Sequence, residues 1–159
     1  MAYQCYISKQ KKHGESGINF YFCKMKKQFI IFSGVSGALS VALGAMAAHY
    51  LKSKLETGLI TETNLQTFET AARYQMYHSI TILAIALMMD KITNKLLPKA
   101  AYCFIIGIGC FSGSLYLLST ATLMGMENVH WLGPITPIGG LFFIAGWLLI
   151  AFSAIKQKH

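Results

Sequence analysis

The sequence predicts an all-α membrane protein: a four-transmembrane-helix bundle, both termini cytoplasmic, with an amphipathic interfacial helix leading into the second span. Three observations predict it. Only 13% of the 159 residues are Asp, Glu, Lys or Arg, against about 25% in soluble domains, so charge is too scarce to cover a soluble surface. Apolar runs recur four times, bounded by lysines. No set of segments alternates with the period of two that marks transmembrane strands.

Residues 1–24 mix Lys, Gly, Tyr and Cys without periodicity, and Met25 has the position of a natural start. They are expected to be a disordered or extraneous extension of a single domain over 25–159. The first span covers about 28–48 and holds no charge. A cleaved signal peptide ending at Ala45-Met46-Ala47 is the competing interpretation; the run is long for one, and its small residues are spaced for packing. The second apolar run, 74–89, would rise only about 24 Å, short of a hydrocarbon core of about 30 Å. Its helix must therefore start earlier, capped by Thr61 or Thr63, with Leu65, Phe68, Ala72 and Met76 as an apolar stripe. That lead-in, about 62–73, is the amphipathic interfacial segment. The third span runs over about 100–124. The fourth, 135–155, has Pro134 and Pro137 at its first turn, where a missing N–H is tolerated.

Orientation follows from basic residues. Eleven of the fourteen Lys and Arg fall in the N-terminal segment (Lys9, Lys11, Lys12, Lys24, Lys26, Lys27), the second loop (Lys91, Lys95, Lys99) and the tail (Lys156, Lys158). The positive-inside rule puts these parts, and both termini, in the cytoplasm. The same clustering argues against nucleic acid as a partner despite the net charge of +8, because the lysines flank apolar runs and form no stripe. Cys103 and Cys110 would stand about 10.5 Å apart along one helix, too far to pair. With Cys5 and Cys23 placed in a reducing compartment, four unpaired thiols are expected.

Lipid gives helices little drive to associate, so small residues must let backbones approach. Ser36, Gly37, Ser40 and Gly44 form such rows on the first span, Gly109 and Gly113 on the third, and Gly139 and Gly140 on the fourth. The polar candidates gather toward the outer end. His49 ends the first span. Glu69, Arg73, Gln75 and His78 stand at the start of the second, and Glu127 and His130 lie in the third loop. Glu69 and Arg73 have the favourable order of a helical ion pair. His49 and His78, on antiparallel neighbours, suggest a haem or metal held between two imidazoles, or a quinone on one of them. No third ligand stands at metal spacing.

Four strings carry a resemblance: GALSVALGAMAAHYLK at 37–52, TFETAARYQMYHS at 67–79, FSGSLYLLS at 111–119 and WLGPITPIGGLFFIAGWLLIAFSA at 131–154. Their order and spacing resemble small bacterial inner-membrane proteins grouped as domain of unknown function 423, similar to the eukaryotic transmembrane protein 256. The resemblance covers roughly residues 26–155 and implies four spans and a plasma-membrane address, without implying a reaction. No nucleophile–base pair and no metal motif stands out. The expectation is a non-enzymatic membrane protein without a resident cofactor. Its outer polar cluster serves a partner protein, lipid or the fold itself. The alternatives are a haem- or quinone-binding subunit using His49 and His78, and a small channel or transporter formed as a homo-oligomer.

Overall fold

The charge-free stretch after Gln28 lacks proline, so nothing interrupts its helical hydrogen bonds. In the computed structural model, which describes residues 16–92, 94–126 and 129–155, helix α1 runs over Ser16–Met46. It passes through a π-helical turn at Ala47–Leu51 and ends as Lys52–Glu56. Residues 16–24, expected to lack structure, are its first turns. The helix stops because Gly58 adopts φ 72°, the left-handed conformation in which Gly58 N donates to Leu55 O and Leu59 N to Lys54 O.

Thr61 caps α2, Glu62–Met88: its hydroxyl accepts from Asn64 N while Asn64 Oδ1 accepts from Thr61 N (3.1 Å). As the shortness of the 74–89 run implies, the lead-in at 62–73 is the unbroken beginning of this 27-residue helix. Helix α3, Leu96–Thr120, contains a second π-helical turn at Ile108–Ser112. Asn94 ties its start to the last helix by accepting from Leu96 N and donating to Ser153 O. Helix α4 covers Ile135–Ile155.

Helix α1 packs on α2, α2 on α3 and α3 on α4. One apolar core (Phe29, Ile82, Ile85, Leu97, Phe104, Phe143) fills one half of the bundle. At that end Lys26 and Asp90 form an ion pair between the start of α1 and the end of α2. A second core at the opposite end gathers Ala47, Leu51, Ile60, Leu65 and Phe68.

The closest helix contact is between α3 and α4. A Cβ on Gly139 would stand 2.4 Å from Phe111 N and 2.8 Å from its Cα. Gly107 receives the ring of Phe143, and Gly146 receives the ring of Phe104 (2.5 and 2.8 Å from a Cβ at each). Gly37 and Gly140 have ordinary contacts, to Met76 and Phe111, whereas Gly44, Gly109 and Gly113 have no atom within 4 Å of a Cβ. The extra residue of the π-turn at 108–112 rotates the remainder of α3, so rows drawn at a regular 3.6-residue period fall out of phase.

Three helices are long and apolar enough to cross a membrane: Phe22–Glu56, Leu96–Thr120 and Ile135–Ile155. Their outer faces carry large exposed apolar side chains, among them Ile31, Val35, Leu141, Ile144 and Phe152. Helix α2 is long enough but less apolar, and its buried residues include the polar Gln75, His78 and Ser79. Cys103 and Cys110 are free, whereas Cys23 is disulfide-bonded, which corrects the expectation of four thiols.

Candidate functional site

Between the two apolar cores lies a buried polar network whose members come from three helices. On α2, residues three and four apart share a face, and Ala72, Gln75 and Ser79 all turn toward α1. Ser40 Oγ donates to Ala72 O (2.8 Å). Ser79 Oγ meets Ser36 Oγ at 2.8 Å and Gln75 O at 2.7 Å. Gln75 Nε2 donates to Ser36 O (2.9 Å), and its Oε1 accepts from Tyr116 OH of α3 (2.9 Å). One glutamine side chain thus joins α1, α2 and α3. Ser36 and Ser40, picked out as packing residues, serve as hydrogen-bonding ones as well.

His78 turns to the other side of α2, toward α3 and α4. It is 5% exposed. Its Nδ1 lies 2.8 Å from Tyr74 O; a carbonyl only accepts, so Nδ1 carries the proton and the neutral ring leaves Nε2 as an acceptor. The imidazole stacks on Phe143 with centroids 3.6 Å apart and planes 2° from parallel. Phe104 lies 5.3 Å away and Trp147 6.5 Å. Tyr74 and Phe111 continue this aromatic cluster at 4.8 Å. It joins α2 to α4, and Gly107 and Gly146 make the room its phenylalanines occupy.

The other candidates do not converge. Glu69 and Arg73 form an exposed pair at 3.7 Å, and Arg73 Nε also donates to Glu69 O. His49 is exposed on the π-turn of α1. Ser40 is level with Ala72, and His49 lies about nine residues beyond it in one direction while His78 lies about six beyond Ala72 in the other. They stand roughly 20 Å apart along the bundle and on different sides of α2, so the pairing of His49 with His78 is absent. Glu127 lies outside the described residues, and of His130 only the backbone is described, in the short turn His130–Leu132. Among the described residues no three His, Cys, Asp or Glu side chains gather as metal ligands would.

Sequence reasoning missed Tyr116, Ser79, Phe143 and Asp90. Asp90 carried a usable signal, as a lone acid beside the lysines of the second loop. Ser112 is 1% exposed, and its Oγ has no hydrogen-bond partner.

A model of the family described as Protein of unknown function (DUF423) matches residues 43–140. The chain is similar to the UPF0382 membrane protein YwdK of Bacillus subtilis, 37% identical over 82% of this chain and 98% of that one. It resembles a UPF0382 membrane protein of Haemophilus influenzae at 38% identity over 84% and 98%. Similarity to the UPF0382 inner membrane protein YgdD of Escherichia coli is 31% over 82% and 91%. No solved structure matches.

Proposed function

The chain belongs to the DUF423 family, and on that basis we propose a non-enzymatic multi-pass membrane protein whose intramembrane polar side chains hold its own helices together. In this reading all four long helices cross the bilayer and both termini face the cytoplasm. The membrane address itself follows from the relatives and from three helices able to span. Cytoplasmic termini draw support from the lysine distribution. They also draw it from the Lys26–Asp90 pair, which brings the start of α1 and the α2–α3 loop to one end.

The first turns of α2 then stand at the outer interface. Exposed Arg73 lies about 22 Å from the end of α2 at Met88, near the edge of a core of about 30 Å. There its long side chain reaches toward the headgroups beside Glu69. Lipid is the partner of the exposed apolar faces of α1 and α4.

The observation that carries the reading is Gln75. In hydrocarbon an unpaired amide is costly, and both ends of this one bond a neighbouring helix. Such bonds contribute about 0.6 kcal/mol on average and up to about 1.7 in membranes. Gln75→Leu is therefore expected to lower stability in micelles by about 1 kcal/mol, measured by reversible unfolding in a graded denaturing detergent. A variant as stable as the parent, or more so, contradicts the proposal. That is the behaviour of polar groups retained for a ligand at the expense of stability.

A further inference from the structure

From the surroundings of His78, we propose a second role for the same bundle: a lipid-accessible binding site for a membrane-dissolved aromatic alcohol of the quinol class. The hydroxyl of that ligand donates to His78 Nε2. The site rests on atoms that the helix-joining network does not use. Nδ1 is committed to Tyr74 O, which fixes the ring and leaves Nε2 on its far side, away from α2. Among the described residues Ser112 Oγ is the fully enclosed side-chain polar atom without a partner. Among them Nε2 has no hydrogen-bond partner either, and Tyr74 and Trp147 beside the imidazole open onto the outer surface of the bundle. That surface is hydrocarbon: His78 stands about ten residues, roughly 15 Å, from the end of α2 at Met88, half the depth of the core.

An acceptor nitrogen at that depth finds no water to bond, and leaving it bare is costly. What satisfies it must dissolve in lipid and carry a hydrogen-bond donor, such as a hydroxyl. The walls select further. Phe143 covers one face of the imidazole, and Phe104 is buried beside it. At the rim, Trp147 is 51% exposed and Tyr74 40%. Aromatic planes whose outer members lie open favour a flat ring entering sideways from the bilayer over a flexible acyl chain. The narrow connection between α2 and α4, made by these side chains, is the route.

The test uses the full chain in lipid nanodiscs and a hydroquinone bearing a decyl chain as probe, with its dimethyl ether as the matched compound lacking the donor. The chain has five histidines, and the spectrum of His78→Phe, which keeps a flat ring against Phe143, identifies the nitrogen signals of His78. Titration with the hydroquinone is expected to move the Nε2 resonance saturably toward hydrogen-bonded values. The ether should bind about tenfold more weakly, the scale of one buried hydrogen bond lost. Emission from Trp147, isolated by Trp131→Phe, should follow the same isotherm and weaken about tenfold in His78→Phe. A response that never saturates, or one the ether reproduces in the unaltered protein, overturns the site. Either result leaves the stability of Gln75→Leu, and hence the helix-joining role, untouched.

Discussion

Replacing Gly139 with alanine adds one methyl group at the point where α3 and α4 come closest. The new carbon would stand 2.4 Å from Phe111 N and 2.8 Å from Phe111 Cα, about 1 Å inside the 3.4 Å at which ordinary contact begins. The obstacle is backbone within a helix, so no side chain can turn aside, and α4 must move away from α3. A gap of 0.5–1 Å forfeits about a quarter to a half of each dispersion contact across the interface. Overpacking generally costs about 1–3 kcal/mol, and a rigid obstacle puts this substitution near about 3. Gly109→Ala and Gly113→Ala are the controls. Each has open space at its Cβ, and alanine is the better helix former by up to about 1 kcal/mol, so they should be neutral or slightly stabilising. Unfolding in a graded denaturing detergent separates the cases. Equal stability of Gly139→Ala and Gly113→Ala refutes the assigned helix contact.

Two further substitutions probe single interactions by the same unfolding measurement. Ser112→Ala removes a buried hydroxyl that has no partner; relief of that desolvation should raise stability by about 1 kcal/mol, and a loss shows that the hydroxyl is bonded. Thr61→Ala opens the capping box of α2 and should lower stability by about 1 kcal/mol. An unchanged midpoint contradicts a role for the cap in the fold.

The start of the chain's last helix beside Pro134, and a cap at Thr61 or Thr63, were legible because they depend on neighbours in sequence. The rotation of each helix was not. In a soluble bundle the buried face is the apolar one, but here lipid and core demand the same side chains, so hydropathy does not tell Ile31 from Phe29. Small-residue rows suffered most. Gly109 and Gly113 share a face by spacing, yet the π-turn between Ile108 and Ser112 shifts the phase, and on α3 the contact falls to Gly107.

The polar residues of α2 illustrate the same limit. Gln75 and His78 are three apart and looked like one cluster with His49, Glu69 and Arg73. A helix buried on several sides sends them to different neighbours: Gln75 to α1 and α3, His78 to the rings of α3 and α4. The pairing of Asp90 with Lys26 depended on knowing that α1 and α2 run side by side, which loop length suggests but charge alone does not.

In the proposed topology α2 crosses the bilayer although it is the least apolar of the four long helices, because its polar groups are answered by other helices. Accessibility of single cysteines on either side of it tests this directly. In a background with the four native cysteines replaced, Thr57→Cys lies in the α1–α2 turn and Lys91→Cys in the α2–α3 loop. In right-side-out membrane vesicles, a membrane-impermeant maleimide should label position 57 at once and position 91 only after permeabilisation. Labelling of both positions from the same side would show that α2 does not cross the bilayer.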